Sequence, residues 1–137
     1  MDMNRMTIKL QEGLQRASAL ASQRNHQGID AEHLLLALLE QENGVAASLV
    51  EAAGVSPRAL RDAADRELAR RPQVKGPATG PAQAFITQRL AQLLDRAERE
   101  RTTLKDDYLS VEHVLLAIVD ENAPLIRDLG LTREKLR

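Results

Sequence analysis

The 137 residues contain no cysteine, no tryptophan, one phenylalanine and one tyrosine. The first absence removes disulfides, cysteine-ligated zinc, thiol nucleophiles and redox chemistry. The scarcity of aromatics forces the core to be built from Leu, Ala, Ile and Val, a composition that suits helix packing. Charge of one sign is also missing. With 19 basic and 20 acidic residues spread along the chain, the net charge is −1, which excludes the concentrated basic face of a nucleic-acid binder. No run of about 18 apolar residues is present, and the opening "MDMNRMTIKL" has no apolar h-region. A soluble, cytoplasmic protein with no membrane partner is expected. A phosphate loop is lacking too: "KG" occurs at 75–76, but G-K-[ST] occurs nowhere. The segment is therefore expected to bind no ATP and no other cofactor. The three histidines, His26, His33 and His113, form no HExxH and have no second ligand four residues away, so no metal is expected either.

What is present is one module written twice. Residues 7–41 align without a gap on 87–121 at a constant offset of 80, and ten of the 35 positions are identical. They include Thr7 with Thr87, Leu10 with Leu90, Leu14 with Leu94, and the Glu32-His33 pair with Glu112-His113. After a four-residue deletion the match resumes, "GVSPRAL" at 54–60 facing "GLTREKL" at 130–136. Internal duplication of this kind dominates any fold assignment. A chain of this length is one ordinary domain that buries roughly 68% of its unfolded surface.

Each repeat reads as a run of helices. The first spans 5–23, with Leu10, Leu14, Ala17 and Ala21 in one apolar stripe. "NHQGID" breaks that period. Asp30, like Ser110 in the second repeat, is a natural N-cap for a helix over 31–41, matched by 111–121. A third helix covers 45–53 and stops at Gly54 in a left-handed position. Ser56 caps a fourth, with Pro57 at its first turn and Leu60, Ala64 and Leu68 on its buried face. "RPQVKGPATGPAQ", 71–83, holds three prolines and two glycines and joins repeat one (1–70) to repeat two (84–137). The second repeat supplies helices at 84–101, 111–121 and 123–129, and a last one from Thr132 that Arg137 cuts off after about one and a half turns, too few to stand alone. A fragment of a longer protein is expected.

The doubled Glu-His pair invites a catalytic reading, that of a hydrolase. The N-caps place Glu32 and Glu112 at the second helical position, where a carboxylate complements the helix dipole by about 0.3–1 kcal/mol. Neighbouring helical residues point about 100° apart, so Glu and His do not face each other as a dyad requires. Leu34, Leu35, Leu36, Leu38 and Leu39 contribute about 1.5–3 kcal/mol each if buried, which outweighs the polar part. The histidines are expected to pack, and no catalytic residue is assigned. "KDDYLS", 105–110, instead places Asp106, Asp107 and Tyr108 in a loop before a helix start, where scaffolds tend to carry function.

The doubled "EH[LV]LLA[LI]" element, each preceded by a "T…L…L..A" helix, resembles the Clp repeat domain, the N-terminal domain of the Hsp100/Clp ATPases. The likeness covers essentially the whole chain. "MDMNRMTIKLQEGLQRA" and the inter-repeat "RPQVKG" are similar to the ClpB branch, the disaggregases, although Arg71 stands where many members have Leu. The resemblance implies an all-α, pseudo-twofold bundle of eight helices with the last truncated. It implies a full-length hexameric ATPase, using ATP and magnesium, that works with the Hsp70 system on unfolded or aggregated polypeptides. The isolated domain is then a monomeric, non-enzymatic module engaging exposed apolar segments. Thr7, Asp106 and Glu112 are the polar groups the resemblance places near its groove, and Leu10, Leu94 and Leu109 are expected on the apolar wall. The alternative is an adaptor-docking N domain of a protease-linked ClpA or ClpC type.

Overall fold

Short side-chain oxygens start the helices. In the computed structural model, which describes residues 3–73 and 84–136, Thr7 Oγ1 accepts from the Leu10 amide at 3.2 Å and opens α1 (Ile8–Gln23). Thr87 does the same for Leu90 at 3.1 Å and opens α5 (Gln88–Leu104). Asp30 opens α2 (Ala31–Leu39) and Ser110 opens α6 (Val111–Glu121). Gly44 precedes α3 (Val45–Ala52), Ser56 caps α4 (Pro57–Ala69), and α7 (Pro124–Asp128) follows Ala123. Each capping oxygen satisfies an amide that a helix end leaves unpaired. Gly54, at φ +85, ends the α3 turn in the left-handed region, as its position in the sequence predicts.

The all-α reading holds, with three local corrections. The first helix begins at Ile8 rather than residue 5, because Met3–Arg5 form a separate 3-10 turn and Met6 is extended. The helix expected over 84–101 begins at Gln88 and continues to Leu104. Its supposed first turn is β2 (Phe85–Ile86), which pairs in parallel with β1 (Gly28–Ile29). The final helix expected from Thr132 is a single 3-10 turn, Glu134–Leu136. Positions 74–83 of the expected linker lie outside the described residues.

The strand pairing obeys the offset of 80 with its partners exchanged. Ile29 pairs with Ile86, and Leu109 forms an isolated parallel bridge with Met6, the residues that sit at the matching positions. The Thr87 amide donates to the Ile29 carbonyl at 3.1 Å, and the Thr7 amide donates to the Leu109 carbonyl at 2.9 Å. The segment leading into the first long helix of each repeat is therefore held by the other repeat.

All nine residues of α2 are buried, including Glu32 and His33. Helix α2 packs against α1, α3, α4, α5 and α6, and α6 packs against α3 and α5. Leu34, Leu35 and Leu38 are among the fully buried side chains, each stabilising by about 1.5–3 kcal/mol. Gly13 lets α1 approach α2: a Cβ there would lie 2.6 Å from Leu38 Cδ2. Its presence in a helix interior costs about 1 kcal/mol of helix propensity, which the close packing offsets. Among the described residues no helix is long and apolar enough to cross a membrane.

Candidate functional site

The loop between α5 and α6 is fixed from both sides. Lys105, at φ +59, ends α5 in the left-handed region, and the Asp106 amide donates back to the Arg101 carbonyl at 3.1 Å. The Arg101 guanidinium donates to the Asp106 carbonyl at 2.8 Å. At the head of α6, His113 Nδ1 accepts from the Ser110 amide at 2.9 Å. A backbone amide can only donate, so the imidazole proton sits on Nε2, from which it reaches Asp106 Oδ2 at 2.7 Å. A buried histidine thus aims a half-exposed carboxylate.

Exposed apolar side chains lie on this loop and on the segment bridged to it. Tyr108 precedes and Ile8 follows the residues of the Met6–Leu109 bridge, and both are exposed, as is Leu104 at the end of α5. Glu112 is exposed on the first turn of α6 and lines a groove of about 390 Å³ with Leu49, Leu104, Leu115, Leu116 and Leu136. Arg133 holds Glu100 and Asp120 on its rim. The groove owes its openness to a difference between the repeats. Leu36 is 3% exposed in a helix that α4 packs against, whereas the matching Leu116 is only half-buried.

The first repeat uses the same positions differently. His33 Nδ1 accepts from the Asp30 amide at 2.9 Å, and its Nε2–H donates to His26 Nδ1 at 2.8 Å. His26 stands where the second repeat has Asp106. Burial, then His26 and Arg71, push His33 down to about 4. Burial, then Arg24 and Arg71, lower His26 as well.

Beside this pair lies a buried ion network that joins the repeats. Arg71 donates to Asp30 at 2.9 Å and to Glu32 at 2.7 Å. Arg89 donates to Glu32 at 2.8 Å, to Asp30 at 3.2 Å and to Glu121 at 2.5 Å. Thr87 Oγ1 donates to Asp30 Oδ1 at 3.0 Å. Burial opposes ionisation of Asp30, yet the Ala31 amide, Arg89, Arg71 and Thr87 outweigh it and hold its carboxyl below the usual range. The hydrogen bond to Glu121 is the main cause that raises Arg89.

Of the residues expected at a groove, Asp106 and Glu112 are outward-facing and close in sequence to the α6 start. Thr7 is half-buried and spends its hydroxyl as a helix cap. Leu10, Leu94 and Leu109 are 0%, 5% and 1% exposed, so they are core residues in this structure and not an accessible wall. The stripe that contains Leu10 is the face turned toward α2, and Leu109 is shut in by its bridge to Met6. The open apolar groups are Ile8, Leu104 and Tyr108. Neither Glu-His pair is a dyad: Glu32 faces arginines, His33 faces His26, and His113 faces Asp106. Among the described residues no three His, Cys, Asp or Glu side chains converge as a metal site would require. The ion network and the His26–His33 pair were not foreseen; Arg71 in place of Leu was the sole signal.

Comparison with known proteins agrees with this architecture. The family model described as the Clp repeat (R) N-terminal domain matches residues 5–129. The chaperone protein ClpB of Nitratidesulfovibrio vulgaris is 40% identical over 141 residues, a match that covers 99% of this chain and 16% of that protein. The chain thus spans about one sixth of the length of such relatives. Among solved structures, the Hsp104 N-terminal domain from Candida albicans superposes with a TM-score of 0.77 at 20% identity, covering 96% of this chain and 85% of the other. The ClpV N-domain in complex with a VipB peptide gives 0.78 at 22%, covering 97% and 82%. The duplicated helices, their crossed lead-in segments and the family match from Arg5 to Leu129 lead to one conclusion: the chain belongs to the Clp repeat N-terminal domain family.

Proposed function

We propose that this chain is the N-terminal module of a ClpB-type ATP-dependent disaggregase and that it grips exposed apolar segments of unfolded or aggregated polypeptides at the start of α6. One observation carries the reading: a carboxylate aimed by a buried histidine has the exposed Leu104 and Tyr108 two residues away on either side in sequence, and the exposed Glu112 follows on the first turn of α6. The first repeat supplies an internal template for the polar half of the contact. Glu32, the counterpart of Glu112, receives two guanidinium groups, from Arg71 and Arg89. Glu112 is exposed and offers the same carboxylate to an arginine or lysine from outside, as charge-assisted pairing favours. The preferred segment is therefore apolar with a basic flank.

Weak binding suits the task. A module that hands its substrate to a pore must release it, and a shallow surface of few side chains gives little surplus after association entropy is met. A ClpV N-domain of the same fold is described in complex with a VipB peptide, which supports a peptide-binding reading. ATP, magnesium, the hexamer and the Hsp70 system belong in this reading to the rest of a full-length protein, and this segment is non-enzymatic.

An NMR titration with an unfolded model polypeptide tests the proposal. Amide shifts are expected at Ile8 and from Leu104 to Glu112. Shifts confined to the charged 58–71 face of α4 would overturn it.

A further inference from the structure

The first repeat carries a second opening, on the other lead-in segment. A cavity of about 300 Å³ opens beside the β1–β2 pair, with His26, Gly28, Arg71, Pro72 and Phe85 in its lining. Phe85 is 61% and Ile86 49% exposed, two large apolar side chains on opposite faces of one short strand, and Phe85 is the one that lines the cavity. The Phe85 and Thr87 amides donate to Gln27 and Ile29 carbonyls. Strand alternation then turns the amide and carbonyl of Ile86 to the opposite edge, where an extended chain can lie alongside.

A histidine supplies a polar group in an otherwise mostly apolar lining. His26 is 7% exposed, and its Nδ1 is taken by the His33 Nε2–H. Its own proton is therefore on Nε2. That nitrogen has no hydrogen-bond partner among the described residues and is not among the polar atoms sealed from solvent, and His26 lines the cavity. Arg24 and Arg71 are the charges that act on His26. Asp30 and Glu32, the nearest carboxylates of the network, are already occupied by Arg71, Arg89 and Thr87. At the matching positions the second repeat has Asp106, Asp107 and Arg5 in place of His26, Gln27 and Phe85. One repeat thus offers carboxylates and the other offers donors beside an aromatic ring.

We infer that the His26–Phe85 cavity docks an extended polypeptide segment in which a glutamate or aspartate stands next to a large apolar residue. The carboxylate accepts from His26 Nε2–H in a cavity that Arg71 also lines, and the apolar neighbour packs on Phe85. This site is independent of the one at α6 and selects the opposite charge.

The test is an NMR titration of the 137-residue chain with a capped heptapeptide carrying a central Glu-Leu-Phe, run beside its Gln-Leu-Phe analogue. Shifts are expected at Gln27, Gly28, Ile29 and Ile86, with the glutamine analogue at least about fivefold weaker, as loss of a charge-assisted hydrogen bond implies. Phe85→Ser should weaken the glutamate peptide by a similar factor and leave the melting temperature unchanged, because the ring is exposed. Equal binding of both peptides would overturn the inference. So would shifts confined to Ile8, Tyr108 and Glu112, or no shifts at all.

Discussion

Acid should loosen this protein at a pH where its carboxylates are still charged. The perturbation is protonation of His33, which is 1% exposed and is held in the neutral form by burial and by the neighbouring His26 and Arg71. In the unfolded chain the imidazole takes up a proton at its ordinary 6.5, while in the folded chain it waits until about 4. Between those values the unfolded state binds more protons, so stability that is fully present above 6.5 is lost as pH falls and is gone below about 4. At ~1.4 kcal/mol per pH unit the whole window is worth roughly 3 kcal/mol, a substantial share of a typical stability of about 5–15 kcal/mol. By pH 5, before the depressed carboxyl of Asp30 begins to titrate, roughly 2 kcal/mol should already have been lost. Urea unfolding followed by far-UV circular dichroism at pH 7.5, 6.5, 5.5 and 5.0 measures this, the method being chosen because one tyrosine gives little other signal. His33→Gln supplies the reference, since it lacks the titrating ring. The reasoning fails if wild type and variant lose equal stability between pH 7.5 and 5.0. It fails equally if the His33 ring resonances titrate at or above 6.5.

Three further outcomes follow from the packing and the surface. Leu36→Asp should unfold the protein, because a buried, unpaired carboxylate costs several kcal/mol. Leu116→Asp at the matching position should cost at least about 2 kcal/mol less, since Leu116 is only partly buried in its groove; equal urea midpoints would contradict this. Arg89→Met strands Glu121 and leaves Asp30 and Glu32 with Arg71 as their one guanidinium. Breaking a buried pair costs about 3–5 kcal/mol, and the partial exposure of Arg89 reduces the expected loss in thermal unfolding to about 2–3 kcal/mol. Tyr108→Ser should weaken binding of an apolar, basic-flanked polypeptide several-fold in the NMR titration while the melting temperature stays within about 2 °C, as for other surface substitutions.

What could be read from the sequence was local or repeated. Asp30, Ser110, Ser56, Pro57 and Gly54 announce helix ends because capping depends on the residue and its immediate neighbours. The duplication at an offset of 80 identified the family because it needs no geometry at all. The two-residue strands escaped notice, since Phe85–Ile86 is too short to show a period of two. Leu10 shows the limit of a stripe argument: the spacing found the apolar face of α1 but could not tell a core face from a binding face. Arg71 and Glu32, 39 residues apart, carry no mark of their pairing, and Ile8, the open apolar group beside the site, lies just outside the stripe. The matching of His26 with Asp106 was visible in the alignment, but its meaning depends on which way His33 and His113 turn their rings.

The exchange of lead-in segments also sets an order of events during synthesis. Met6 leaves the ribosome early, and the residue that receives it, Leu109, follows about a hundred positions later. At about 5–20 residues per second, the first segment waits roughly 5–20 s for its seat to exist, and Ile29 waits a shorter time for Ile86. Helices α1 to α4 can form in that interval, since their contacts are close in sequence. Met6 and the β1 face of the first repeat stay uncovered until the second repeat emerges. A half-made chain of this domain thus carries for some seconds the kind of exposed apolar segment that the finished domain is proposed to bind.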